Sequence, residues 1–547
     1  MELFHKIKQS SSFGNQAPKE IFNFRTYILV IVAAFAAVNF GYDMGFIGTT
    51  VALESFREAL GINKLSESHQ RFVSTNVVSF FQVGCVLGCL VTGPLSIILG
   101  RKWLIFYTAI LFNIGSILQF VATGQTGIVL LYVGRILGGI AVGASSAVVP
   151  VYLAEVAPTE VRGSMVGIFE IGVQLGTTIG FWIIYAVKKT LPPTSVQWRF
   201  PIAFQLIPGG ILMFGMLLLP ESPRWLAINR SLEQAREQLC KIRQLDANHP
   251  YIVWEMDGII EQCNKISQDD EDSKHGKVFF YFKHYSNLFK PNIRNRLMTG
   301  TILMIAFQMS GTNAINYYSP TIFKSLGFSA QNTTFLATGI YGIVRFICTL
   351  IAMILVVDRV GRRKLIIIGS CIMGFCMWYI GAYLTASPLT GSKHPPNSAY
   401  SAIVFIYVYA AAFCFSFAGI PFIYCAEIFP ISVRSHATSI TTAIHWAFNL
   451  MLARSVPYMI ANIGASTYFV FATCLTISIP WAYFFMPETR GLSLENMEII
   501  WAQPKLFVRA DRYHNQLLDF QLENNQEESQ NSQTQSINEK RKEYEAA

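Results

Sequence analysis

Glu155-Val-Ala-Pro-Thr-Glu-Val-Arg162 returns 272 residues later as Glu427-Ile-Phe-Pro-Ile-Ser-Val-Arg434. Two more motifs repeat in the same order. Gly100-Arg101-Lys102 recurs as Gly361-Arg362-Arg363 at an offset of 261, and Pro220-Glu221-Ser-Pro-Arg224 as Pro487-Glu488-Thr-Arg490 at 267. Three motifs in one order at nearly one offset describe two homologous halves. Each motif stands at the end of an apolar run, where paired acids and arginines can hold two helix bundles together. Charges that merely anchor helix ends at an interface would account for one such motif less strainedly than for three duplicated ones.

The runs themselves set the class. Hydrophobic residues are 52% of the 547, charged residues 14%, and mean hydropathy is +0.39. A typical globular protein has roughly 25% charged residues, and a chain this poor in charge cannot cover a soluble surface. Disordered, collagen-like and secreted disulfide classes are excluded by the same figures. About 20 apolar residues cross the hydrocarbon as a helix. Twelve such runs lie near 26–48, 72–98, 103–123, 127–150, 163–187, 200–219, 297–320, 332–357, 364–386, 400–426, 434–461 and 467–486.

The expected organisation is an N-terminal segment (1–25), a six-helix bundle (26–220), a central segment of short helices (221–296), a second six-helix bundle (297–490) and a largely disordered tail (491–547). Ser231 looks like the cap of one central helix. Of the 42 basic residues, 31 fall on the side shared by the termini and the central segment, against eight on the other. The termini and central segment are therefore expected in the cytoplasm. The net charge of +9 sits in gaps between apolar runs, which argues for the lipid bilayer and against nucleic acid as partner. No obligate protein partner is evident. The first 24 residues are polar and show no cleavable signal. Ten scattered cysteines give no disulfide framework, and no metal spacing, cofactor motif or catalytic constellation is present, so no enzyme is expected.

Several further motifs resemble the sugar porter family of the major facilitator superfamily over residues 25–500. They are Phe40-Gly41-Tyr42-Asp43, Gly134-Arg135-Ile-Leu-Gly138-Gly139, Pro220-Glu-Ser-Pro-Arg224, Val357-Asp358-Arg359-Val-Gly361-Arg362-Arg363 and Pro487-Glu-Thr-Arg-Gly491. The stretch Gln308-Met-Ser-Gly311-Thr-Asn313-Ala-Ile-Asn316-Tyr317 resembles the fungal quinate permease branch in particular. Ile97 departs from the pattern, standing where the family usually carries Asp. The resemblance implies an all-α membrane protein, twelve transmembrane helices in two pseudo-symmetric halves of the major facilitator fold. It also implies a cytoplasmic gate built from Glu155, Arg162, Glu221, Arg224, Asp358, Arg362, Glu427, Arg434, Glu488 and Arg490.

Charges at bilayer depth cost at least about 2.5–3.5 kcal/mol each, and so tend to face partners or cavities. Asp43, Arg135, Glu170, Arg345, His445 and Arg454 are the six inside spans. In proton-coupled relatives the span 1 acid and span 4 arginine handle the proton, which by resemblance maps that role onto Asp43 and Arg135. A static ion pair is the alternative. The resemblance puts Glu170, Gln174, Gln308, Asn313, Asn316, Tyr317, Arg345, Trp446 and Asn449 in the substrate site. Gln308 is off the face of Asn313 in a straight helix, and Gly311 can supply the break. Phe307 and Phe422 replace polar or larger family residues. Glu170 replaces a sugar-binding Gln and Arg345 a sugar-binding Asn, and a guanidinium can grip a carboxylate with two charge-assisted hydrogen bonds. The alternative for this pair is a structural Glu170–Arg345 salt bridge beside a neutral polyol.

The expectation is a proton-coupled plasma-membrane importer of a polyhydroxylated monocarboxylate such as quinate, with the proton in place of any cofactor. A neutral monosaccharide or polyol transporter is the alternative, and a non-transporting nutrient sensor a third reading.

Overall fold

A computed structural model describes residues 23–158, 162–270, 288–317, 331–386, 397–430, 433–490 and 501. These are helices and turns, with no strand among the described residues. In lipid the backbone must satisfy its own hydrogen bonds, and a helix does so within one segment. The first half contains α1 (Phe24–Val51), α2 (Glu67–Leu99), α3 (Arg101–Val121), α4 (Gly124–Val156) and α5 (Arg162–Thr190). Its sixth helix, α6, is divided at Gln205 into Ser195–Phe204 and Leu206–Leu218.

The second half begins with α7 (Pro291–Met309), which resumes over 312–317 after a turn at Ser310–Gly311. Then come α8 (Gln331–Ile351, prolonged by a π turn at Ala352–Val356), α9 (Arg362–Ala386) and α10 (Asn397–Phe415 with Ile420–Ile428). The last two are α11 (Arg434–Ile463) and α12 (Ser466–Phe485). Ten of the twelve are long and apolar enough to span a membrane by composition alone. The other two, the interrupted α7 and the polar α11, carry much of the candidate site.

Glycine sets how closely these helices approach. A Cβ at Gly41 or Gly45 of α1 would overlap the backbone of Val173 or Thr177 on α5. Gly139 and Gly143 of α4 lie as tightly on Phe81 and Cys85 of α2. Small residues of this kind substitute close van der Waals contact for the hydrophobic drive that lipid removes. Each half has its own apolar core, but Tyr317, Ala443, Trp446 and Ala453 of the second half are packed into the first. The halves therefore interlock along α7 and α11.

Between the halves, Ser231 caps the helix Leu232–Arg243 by accepting from the Gln234 amide at 3.2 Å. Buried Arg243 pairs with Glu255 at 2.6 Å and donates to the Val156 carbonyl at 2.9 Å, fastening this segment to the end of α4. The expected disordered tail lies outside the described residues apart from Trp501, as do residues 1–22.

Candidate functional site

The duplicated motifs converge at the end of the bundle where α1 begins, called here the near end. Gly100 and Gly361 turn α2 into α3 and α8 into α9 at φ +89° and +99°, a region that disfavours any side chain. Each turn presents bare helix N–H groups, and an acid covers them. Glu221 accepts from the amides of Arg101 and Lys102 at 3.0 Å, and Glu488 from those of Arg362 and Arg363 at 2.8 and 3.1 Å. A carboxylate there satisfies orphan donors and the positive end of the helix dipole. Arg101 then pairs with Glu155, and Arg362 with Glu427, each at 2.9 Å. Ser222 and Thr489 complete the duplicates by donating to Glu155 and Glu427 at 2.5 and 2.6 Å.

These ion pairs lie inside each half. They bind α3 to α4 and α9 to α10, so these two acid–arginine pairs join helices within a bundle rather than the two bundles. The physical reason is that the caps recruit the nearest helix ends, which belong to the same half. Arg434 donates to the Phe429 carbonyl at 3.2 Å, and Arg224 and Arg490 make no side-chain ion pair among the described residues. The side chains of Arg162 and Asp358 lie outside what is described.

Deeper in, Asp43 of α1 and Arg135 of α4 form a fully buried ion pair. Arg135 also donates through Nε to the Val77 carbonyl at 2.9 Å and stands 4.4 Å above the Phe81 ring. Phe81 and Phe40 in turn pack on Trp446, at 6.3 and 5.0 Å between centroids. Aromatic rings thus connect the ion pair to the seam between the halves.

On that seam the turn at Gly311, with φ +92°, brings Gln308 round to Asn313. Asn313 donates to Gln308 Oε1 at 2.7 Å and Asn316 to Asn313 Oδ1 at 3.3 Å. Arg345 of α8 donates to Asn316 Oδ1, while Gln308 Nε2 is 3.0 Å from His445 Nε2 on α11. All five side chains are buried. Arg345 has no carboxylate within ion-pair distance among the described residues. Its Nε lacks a hydrogen bond, and its guanidinium lies 5.0 Å above Phe413 and 5.6 Å above Tyr341. Glu170 instead accepts from Gln174 at 2.6 Å, beside Phe422 and Gly419, so the Glu170–Arg345 salt bridge is not formed.

The remaining residues bridge the halves. Tyr317 Oη is 3.0 Å from the Gln82 amide, and Trp446 donates to Ser146 at 3.2 Å. Asn449 is wholly buried beside the Tyr317 hydroxyl, yet neither amide atom makes a hydrogen bond of normal geometry. Toward the far end Thr178 and Trp182 of α5 donate to the Gly342 and Gly339 carbonyls of α8 at 2.8 and 3.1 Å, and Arg454 donates to Asn76. These contacts join the two halves directly on that side.

Such a half-to-half seam of buried polar groups fits a substrate path, and comparison with known proteins gives the family. Residues 29–501 match the family described as sugar (and other) transporter. The chain belongs to that family. It is a membrane transporter of the major facilitator superfamily, not an enzyme, and acts on a small molecule. It is 39% identical over 485 residues to the probable quinate permease of Aspergillus niger, covering 88% of each chain. Among solved structures it resembles the proton:xylose symporter XylE bound to 6-bromo-6-deoxy-D-glucose. The TM-score is 0.73 and the identity 25%, over 87% of this chain and 99% of that one. Against inward-open XylE from E. coli the TM-score is 0.68 at 26% identity, over 87% of this transporter and all of the other (100%).

Sequence reading does not find Gln82, Ser146 or Phe81 as parts of this transporter's seam, because nothing in their local pattern separates them from ordinary packing residues, and Phe40 stands in a recognised motif without its contact to Trp446 being visible there. His445 is visible as a charge-capable residue inside a span, but its partner across the turn is not.

Proposed function

We propose that this transporter imports a polyhydroxylated monocarboxylate of the quinate type, together with protons, across the plasma membrane, with both termini in the cytoplasm. The observation that carries the substrate class is Arg345, a buried cation held by a neutral amide and two aromatic faces rather than by an acid. A cation in such a place gains most from a carboxylate that arrives with the substrate. Asn313, Asn316, Gln308 and Asn449 supply amides that both donate and accept, as ring hydroxyls require. The relatives named as quinate permeases support the same class.

Asp43 is the proton carrier in this reading. Its carboxylate is paired with Arg135 in a dry site, and a change in their spacing between states shifts its hold on a proton. The cycle runs from protonation of Asp43 at the outer face, through anion capture at Arg345 and rocking of the halves, to inward release. Glu170 and Gln174 line the cytoplasmic approach, and the near-end clusters keep each half rigid as it rocks. A neutral sugar is the second reading, favoured by the likeness to a xylose symporter.

Uptake of labelled quinate, glucose and xylose by a transporter-null yeast expressing this chain, at several external pH values, tests both. Quinate uptake that rises with acidity and collapses with an uncoupler is expected. Hexose uptake without quinate uptake sinks the anion reading, and pH-independent uptake that survives the uncoupler sinks the coupling.

A further inference from the structure

The chain from Arg345 to His445 has a direction. A guanidinium has only donors, so Asn316 must turn its oxygen to Arg345 and keep its nitrogen for Asn313. Asn313 then offers its nitrogen to Gln308, and Gln308 has only its nitrogen left for His445, at 3.0 Å. His445 Nε2 must therefore accept, which puts the ring proton on Nδ1. From these contacts we infer that Arg345 acts as a positioning residue, holding His445 in the neutral Nδ1–H tautomer through three amides.

The same geometry opposes protonation. An imidazolium would aim an N–H from Nε2 at the N–H of Gln308. Relief needs Gln308 to turn over, then Asn313, then Asn316, and the last would face the guanidinium with a second donor. Among the described residues the rest of the surroundings offers His445 no charge to compensate. Phe307 of α7 lies at 4.6 Å between ring centroids, Phe422 of α10 at 5.3 Å and Trp446 of its own helix at 5.8 Å. The titratable groups of the neighbouring helices are engaged elsewhere: Asp43 with Arg135, Glu170 with Gln174, Tyr317 beside Gln82. None of them stands against the imidazole. Among the described residues Nδ1 itself has no partner.

Release follows if a carboxylate takes Arg345 from Asn316. The amides are then free to reverse together, Gln308 presents its oxygen, and Nε2 can bind a proton that arrives as hydronium from the external solution through water admitted with the substrate. This step rests on the anion reading above; the lock does not.

The full-length protein, 15N-labelled at histidine in lipid nanodiscs, gives the test, because bare and protonated ring nitrogens resonate far apart. The His445 signal is identified by its loss in both His445→Asn and His445→Gln. Without substrate, Nε2 is expected bare and Nδ1 protonated from about pH 8 down to about pH 5, where an ordinary histidine titrates. Arg345→Gln, which can donate or accept, and Asn316→Leu, which cuts the chain, should each give mixed tautomers or titration in that range. A wild-type signal protonated on Nε2, or unchanged spectra in both variants, overturns the lock. Saturating quinate should convert the wild-type signal to the Nε2-protonated form while glucose leaves it unchanged. If the variants behave as expected and quinate changes nothing, the lock stands, and the release step and the anion reading fail.

Discussion

Arg345 donates to the amide oxygen of Asn316, 29 residues away on the neighbouring α7, and forms no ion pair with an acid among the described residues. A buried cation without a counter-ion is costly, and neutral hydrogen bonds and ring faces recover only part of that cost. The arrangement is stable enough to fold, yet leaves the guanidinium with more to gain from a carboxylate. That difference underlies the proposed preference for an anionic substrate.

Lysine in this place keeps the charge but loses the planar fork. A hydrogen bond to a charged group contributes about 1.5–3 kcal/mol, so Arg345→Lys should raise the KM for quinate about ten- to hundredfold. Arg345→Asn should abolish quinate uptake while leaving the protein in the membrane. Uptake kinetics normalised to surface protein decide it, and an unchanged KM in both variants makes Arg345 structural.

Asp43 and Arg135 are inaccessible to water, so breaking the pair costs stability as well as coupling. Removing one partner of a buried pair costs about 3–5 kcal/mol, and Asp43→Asn, which leaves Arg135 a neutral acceptor, should fall at or below the low end. Accumulation of substrate against its gradient should vanish, while exchange of labelled for unlabelled substrate persists. Concentrative uptake that survives in this variant rules Asp43 out as the proton carrier.

Gly41 and Gly210 are both glycines inside helices, with opposite surroundings. A methyl group at Gly41 meets the Val173 carbonyl of α5, whereas one at Gly210 meets nothing within 4 Å. Gly41→Ala should therefore cost about 1–3 kcal/mol or more through overpacking and lose the monodisperse peak on size exclusion. Gly210→Ala should elute and transport as the wild type does.

The near-end ion pairs predict which charge swaps are tolerated. Reversing Arg362 and Glu427 together restores attraction within one half, and should recover most of the transport that either reversal alone destroys. Combining Arg101→Glu with Glu427→Arg places the new charges in different halves and should recover none. Coupling within a contacting pair is about 0.5–3 kcal/mol, enough to read in uptake and melting temperature.

Glu221 adds a pH dependence outside the membrane-spanning helices. Burial raises its carboxyl above the ordinary 4.5, against the opposing pull of the Ser222 and Lys102 amides. A raised acid holds its proton more tightly when folded, so its ionisation opposes folding. The penalty is absent below about the unfolded value and grows as pH rises toward the raised one. Relative to Glu221→Gln, the wild type should lose melting temperature as pH rises from about 4 through that window. A constant difference across it would show that the carboxyl is not held above its ordinary range.

Twelve apolar runs and three duplicated motifs determined the class of this chain, its two halves and the charged residues buried within them. Lipid forces each apolar run into a helix, so composition and spacing suffice at that level. The turn in α7 was legible too, because Gln308 and Asn313 cannot share a face without it. Which acid meets which arginine was decided only by the packing. The motif containing Glu155 does not name its partner, and the folded chain gives it Arg101, whose helix start is capped by Glu221. The approach of Gln308 to His445 spans 137 residues, and that of Gln82 to Tyr317 spans 235. Helical periodicity states which face a residue occupies and is silent about the rotation of one helix against another. The close seams at Gly41, Gly45, Gly139 and Gly143 set that rotation within the first half, and in the second half the packing of α7 against α8 and α11 brings Arg345 and His445 to the two ends of one chain of amides.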